Sequence, residues 1–278
     1  MDPAGLRGEI EHLSAAENPD REAARQAVER LFDALGEGSI RAAQLGPSGW
    51  EAVEWVKAGI LLAFRVGQTA RYSGPGQEYF DRDTLPLRKT EGVAENVRVV
   101  PGGTSVRAGS YLAPGVVIMP PAYINAGAYV GEGTMIDSHA LVGSCAQIGA
   151  RVHVSAGAQI GGVLEPIGLR PVVIEDEVVI GGNAGLFEGT LVGRRAVIAP
   201  GVNLTASTPV YDLVKEAIYR SEPGSPLSVP AGAVVVPGSR PASGKLADSH
   251  GLQLYAPMIV KYRDDRTDAS TALEEALR

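Results

Sequence analysis

Few side chains in this sequence could do covalent or metal chemistry, and their spacing narrows the choice. The one cysteine, Cys145, would need a depressed pKa to act as a nucleophile, and nothing in the sequence around it shows one; it reads as a buried structural thiol. A single cysteine also excludes an internal disulfide framework, which suits a reducing compartment. The histidines are His12, His139, His153 and His250. A catalytic zinc takes three protein ligands and keeps a fourth position open. His139 and His153 fall at different points of the six-residue repeat that organises the chain, so they should not stack, and no metal site is expected. Asp137 directly follows an inward aliphatic, Ile136, a place where a carboxylate is otherwise a solvated corner.

The elements that must position these residues are built from an unusual composition. Glycine supplies 35 of 278 residues, nearly twice its ordinary share of about 7%. Aromatics make up 5%, so the interior must be small and branched aliphatic side chains. Apolar residues at 45% and charged residues at 21% exclude global disorder. A net charge of −7 disfavours nucleic acid or anionic membrane as the main partner, while leaving room for a local basic groove for one phosphorylated cofactor. The opening Met1-Asp2-Pro3-Ala4-Gly5 lacks the basic and apolar regions of a signal peptide, and no run of about 18 apolar residues could span a bilayer. A cytoplasmic protein is expected.

Residues 1–92 read as a helical domain with a connector. Ala24, Val28, Leu31, Phe32 and Leu35 recur at helical spacing after Asn18-Pro19-Asp20, with Asn18 or Asp20 as cap and Gly36 and Gly38 as stop. A second helix is expected from about Gly49, with Trp50, Val53, Val56, Ile60, Leu61 and Phe64 on one side. Residues 67–92 look like a polar connector.

From there a period of six takes over. Aliphatics recur at Val100, Val106, Leu112, Ile118, Ile124, Val130, Ile136, Val142, Ile148, Val154 and Ile160. After a break the pattern resumes at Ile174, Ile180, Leu186, Val192, Ile198 and Leu204, and after a second break at Val229 and Val235. Four residues after nearly every one stands a small side chain, as at Ala122, Ala128, Thr134, Ala140 and Ala146. Period six is neither a helix nor simple alternation. It predicts short strands joined by tight corners, one large and one small residue inward per strand, with glycines supplying positive φ. This is the hexapeptide signature of a parallel β-helix, three units to a coil. The β-helix is expected over 93–240 with external loops near 161–173 and 205–228, and a C-terminal tail over 241–278: a strand at Leu254–Lys261 and a helix at Thr271–Arg278.

Several segments carry a resemblance: Arg98-Val99-Val100-Pro101-Gly102, Gly133-Thr134-Met135-Ile136-Asp137, Gly143-Ser144-Cys145-Ala146-Gln147-Ile148-Gly149 and Ile160-Gly161-Gly162-Val163-Leu164-Glu165-Pro166. With Val56–Arg65 and Tyr79-Phe80-Asp81 they cover nearly the whole chain. The chain resembles the tetrahydrodipicolinate N-succinyltransferases, within the hexapeptide-repeat acyltransferases. The resemblance implies a mainly β protein, a left-handed parallel β-helix with an N-terminal helical domain, although the usual crossover rule would favour the right hand. It also implies a homotrimer with active sites between subunits. The implied reaction moves a succinyl group from succinyl-CoA to the amino group of ring-opened L-tetrahydrodipicolinate, a small amino-dicarboxylate, with no tightly bound cofactor and no covalent acyl-enzyme.

Residue by residue, the resemblance places Asp137 at the substrate amine as base or positioning group, and Arg98 on the dicarboxylate, which a planar guanidinium can grip through two bonds. The family glutamate that precedes the local Glu-Gly pair by three is Gly185 here. Either Glu188 substitutes for it with altered geometry, or Asp137 works without that partner. The family tryptophan two residues after the aspartate is His139, a proton shuttle or a space filler. Arg240, Lys245 and Lys261 are the candidate partners for the CoA phosphates. Rival readings are an acetyl-CoA-dependent enzyme acting on the same acceptor, and a zinc hydratase like the γ-type carbonic anhydrases, which the histidine spacing disfavours.

Overall fold

Each six-residue unit closes into a strand of about two residues and a corner. In the computed structural model, which describes residues 3–74 and 77–264, nineteen such strands run from Arg98–Val99 to Ala233–Val236. They stack as parallel ladders on three faces of a left-handed β-helix. The first face turns Leu112, Val130, Ile148, Ile174, Val192 and Val229 inward. The second carries Ile118, Ile136, Val154, Ile180, Ile198 and Val235, and the third Val106, Ile124, Val142, Ile160, Leu186 and Leu204. These aliphatics and the small column between them are buried in one continuous core. Each such isoleucine or leucine stabilises the stack by roughly 1.5–3 kcal/mol.

The third residue of nearly every corner has a left-handed backbone: φ is 76° at Gly127, but also 62° at His139, 67° at Cys145 and 56° at Asn183. A β-carbon makes that conformation costly. The rung below holds it: the His139 N–H donates to Pro121 O at 2.5 Å and the Cys145 N–H to Ala126 O at 3.1 Å. Both insertions leave the ladders intact, because Gln147 pairs directly with Val173 and Leu191 with Ser228. The first insertion is clasped, with Lys57 Nζ donating to Leu169 O at 2.5 Å and Arg170 to Gly189 O at 2.8 Å.

The first rung departs from the six-residue count. Arg98 pairs with Val117 and Val99 with Ile118, one residue out of step with the later rungs. Val97, not Val100, enters the core. With no rung beneath it, this strand lacks the second ladder that fixes register elsewhere.

Three helices, α1 (Pro3–Ala15), α2 (Arg21–Gly36) and α3 (Glu54–Val66), form the N-terminal bundle. Asp20 caps α2 by accepting from the Ala23 N–H at 2.9 Å. The second expected helix starts late: Gly49–Ala52 is a strand paired with Ala43–Gly46, and α3 begins at Glu54. The connector likewise contains a hairpin, Thr69–Gly74 with Gln77–Arg82, whose Asp81 is ion-paired with Arg107 of the β-helix. Four-residue strands are too short to display a period, so Trp50 and Val53 fit helical and extended spacing alike. The bundle core of Ile10, Leu31 and Ile60 is completed by Ala126 and Cys145 from a β-helix corner.

The expected strand at 254–261 is two strands, Gln253–Tyr255 and Met258–Tyr262, divided at Ala256-Pro257, where proline has no N–H to continue a ladder. The second extends the second face, antiparallel to Ala233–Val236. The helix expected at 271–278 lies outside the described residues. In the second insertion, Val210–Asp212 pairs with Met258–Tyr262, and Asp212 is buried there. Burial alone would raise its carboxyl. Hydrogen bonds from Tyr262, the Lys215 and Val214 amides and Tyr219 outweigh that and hold it below the usual carboxylate range. A depressed carboxyl contributes stability that is present above about pH 4 and is lost as pH falls through the folded pKa. Asp212→Asn is therefore expected to cost about 2 kcal/mol at neutral pH and to flatten the acid limb of stability. Hydrogen exchange at the Leu213 amide, which donates to Ile259 O at 3.0 Å, reads the change locally.

Candidate active site

The second face carries the chemistry. Its outward positions on consecutive rungs are Arg98, Val117, Met135 and His153. Asp137 follows two residues after Met135, also outward, where the face turns into a corner. Its N–H donates to Val154 O at 2.9 Å, fixing the backbone to the rung above, and its Oδ1 accepts from the Ser138 N–H at 2.7 Å. Oδ2 lies 3.8 Å from His153 Nε2. That nitrogen is buried and makes no hydrogen bond. Arg98 lies two rungs below Met135, on the order of 10 Å away at the usual inter-strand spacing. It lines a cleft of about 670 Å³ with Arg88, Asn96, Val97 and Thr104. Arg88 is committed to Glu95 at 2.7 Å. The Arg98 side chain has no hydrogen-bond or ion-pair partner among the described residues, so its fork is open to a ligand carboxylate.

The expected residues do not all gather here. Glu188 sits on the corner between the third and first faces, with φ 50°, and its Oε2 accepts from the Ala206 N–H. Asp137 sits on the corner between the second and third faces, two coils earlier, so within one chain the two acids do not meet. His139 occupies a left-handed corner position two residues beyond Asp137. The residue beside Asp137 is thus His153, which the sequence reading weighed only as a metal ligand. The signal was present: Ile136 and Val154 stack, so the residue after one and the residue before the other share the outward side of the same face.

Arg240 belongs to a strand pair, Ser239–Pro241 with Gln253–Tyr255, and its Nε is buried without a partner. Lys245 is exposed and opens the short helix Lys245–His250, while Lys261 pairs across from Val234. The three lie on separate elements of the C-terminal end. Cys145 is fully buried, and burial pushes its thiol up to about 12, against a smaller opposing pull from Lys57. It is a packing group. Among the described residues, no three His, Cys, Asp or Glu side chains gather as a metal site, and no helix is long and apolar enough to cross a membrane.

Comparison with known proteins bears on this arrangement. Residues 9–66 match the family described as tetrahydrodipicolinate N-succinyltransferase N-terminal, and residues 171–206 match the hexapeptide repeat of succinyl-transferase. The 2,3,4,5-tetrahydropyridine-2,6-dicarboxylate N-succinyltransferase of Granulibacter bethesdensis is 47% identical over 265 residues, covering 92% of this chain and 90% of its own. That of Paramagnetospirillum magneticum is 44% identical over 262 residues, covering 91% and 90%. This chain belongs to the tetrahydrodipicolinate N-succinyltransferase family.

Gly185, in the place where the resemblance implies a glutamate, has a local explanation. A β-carbon there would crowd Asn203 Oδ1 and stand 2.5 Å from the Phe187 ring. The space for a side chain has been taken by those two neighbours. Gly185→Glu alone is expected to destabilise the fold by about 1–3 kcal/mol through overpacking. Adding Phe187→Ala should recover part of that loss, a difference that thermal melts of the two variants measure.

Proposed function

We propose that this chain transfers the succinyl group of succinyl-CoA to the amino nitrogen of ring-opened L-tetrahydrodipicolinate, in lysine and diaminopimelate biosynthesis. The observation that carries the reading is the second face, which turns an Arg98 side chain without an ion-pair partner outward and carries the Asp137 carboxylate at its edge two rungs on, in a member of this family. Arg98 takes a carboxylate of the acceptor. Asp137 holds the amine and accepts its proton as nitrogen attacks the thioester carbonyl. The tetrahedral carbon collapses, the C–S bond breaks, and CoA leaves as the thiolate, which is then protonated. His153 stands beside Asp137, 3.8 Å from Oδ2, where it gives the proton-bearing carboxyl a polar neighbour without a hydrogen bond. Cys145, buried and protonated, takes no part.

The acyl donor is held in this proposal by Arg240, Lys245 and Lys261 at the C-terminal end. The protein is proposed to act as a homotrimer, with each site completed by a neighbouring subunit. The separation of Asp137 and Glu188 within one chain supports that arrangement, because acids on different corners can face each other only across an interface. Light scattering gives the oligomeric state.

The test is free-thiol release from succinyl-CoA and from acetyl-CoA, each with and without tetrahydrodipicolinate or L-2-aminopimelate. Acceptor-dependent release from succinyl-CoA is expected. Preference for acetyl-CoA would keep the acceptor and replace the donor; no release from either would overturn the reading. In the same assay His153→Gln is expected to lower kcat about tenfold, less than the 10²–10⁴ owed to a direct proton acceptor, while His139→Gln leaves it near the starting value.

A further inference from the structure

A second cleft, of about 550 Å³, lies on the first face beneath the hairpin Ala43–Gly46/Gly49–Ala52. The ladder of Arg98 and Asp137 is on a different face. Arg41 and Trp50 reach into the cleft from the N-terminal domain, and Tyr111, Tyr129 and Gln147 rise from consecutive rungs below. The Arg41 guanidinium lies 3.7 Å from the Tyr129 ring centre and 5.3 Å from that of Trp50, the stacked geometry that favours arginine. Its Nε–H donates to Gln147 Oε1 at 2.9 Å. Gln147 is itself fully buried and donates to Cys145 O at 2.9 Å, so the anchor is rigid.

Both Nη groups of Arg41 have no hydrogen bond, and no carboxylate lies within ion-pair distance among the described residues. A guanidinium largely withdrawn from water ordinarily has a counter-anion. The acids around the cleft do not fill that role. Glu175 is occupied by Trp50 Nε1 at 3.0 Å and the Arg194 N–H at 2.9 Å. Asp176 uses Oδ1 on the Ala150 N–H at 2.8 Å, and Glu132, at the rim, has no partner among the described residues. The cleft therefore presents a fixed cation with two open Nη groups together with open carboxylate oxygens on Glu132 and Asp176, between aromatic walls.

We propose that this cleft binds a free α-amino acid, with its carboxylate on the Arg41 fork, its ammonium on Glu132 and Asp176, and its side chain against Tyr111 and Trp50. The site is separate from catalysis, and the proposal does not rest on the transferase reading. Titration calorimetry on the full chain tests it, with L-phenylalanine, L-lysine and L-glutamate as probes. 3-Phenylpropionate and phenethylamine are the controls that lack one charge each. At least one amino acid should bind, and both single-charge controls should bind at least tenfold more weakly. Arg41→Lys keeps the charge but loses the fork, and Glu132→Gln removes the rim acid; each should weaken binding about tenfold. Asp137→Asn should leave it unchanged. Thermal melts show that the variants are folded. Three results would each overturn the proposal: no probe binding, 3-phenylpropionate binding as well as L-phenylalanine, or binding lost in Asp137→Asn and kept in Arg41→Lys.

Discussion

Asp137→Asn is expected to lower kcat for succinyl transfer by about 10²–10⁴-fold, with a smaller rise in the KM for the acceptor. The substitution is nearly isosteric, and the amide oxygen can still accept from the Ser138 N–H that Asp137 Oδ1 now engages. The backbone bond to Val154 O is untouched, so the corner should keep its shape. What disappears is the capacity to take a proton from the attacking amine and the charge that holds it. Steady-state thiol release with saturating succinyl-CoA separates the two constants. A loss confined to KM would mean that Asp137 only binds the acceptor, and a variant with full activity would remove it from the site. Measuring the double variant with His153→Gln tests whether the pair acts as a unit: if so, the second change adds less than it does alone.

Arg98→Gln should raise the KM for the acceptor by about 10–100-fold while leaving kcat within a few-fold, since a charge-assisted bidentate contact is worth roughly 1.5–3 kcal/mol. Such a pattern identifies an interaction made equally in the ground and transition states. The cost to the fold should be small because the Arg98 side chain is exposed and has no internal partner among the described residues. Arg98→Lys should recover only part of the loss, as an ammonium offers a point charge where the guanidinium offers a planar fork. The neighbouring cation, Arg88, is held by Glu95 and so is not expected to substitute. The KM for succinyl-CoA should not move, and a parallel rise there would place Arg98 on the donor.

The β-helix was legible in the sequence. A six-residue period states which side chain points inward and, through three units per coil, which residue stacks on which. That is why the strand at Met135–Ile136 lies under His153–Val154, and why the breaks after Ile160 and Leu204 interrupt the repeat without disturbing the ladders, although the second holds a strand pair, Val210–Asp212 with Ala217–Tyr219, where a bare loop was expected. Resemblance carried Arg98 and Asp137 onto this frame, and the ladder places both on one face. The tertiary structure alone decided the rest. His153 rather than His139 meets Asp137, because a left-handed corner turns His139 away while strand stacking brings His153 across. The hairpin at 43–52 and its cleft arise from contacts between residues about a hundred positions apart, such as Arg41 with Gln147. Glu188 is separated from Asp137 by the prism itself. Period is a local property that repeats, and it fixes whatever repeats with it; contacts made once between distant segments leave no periodic trace and exist only when the chain is folded.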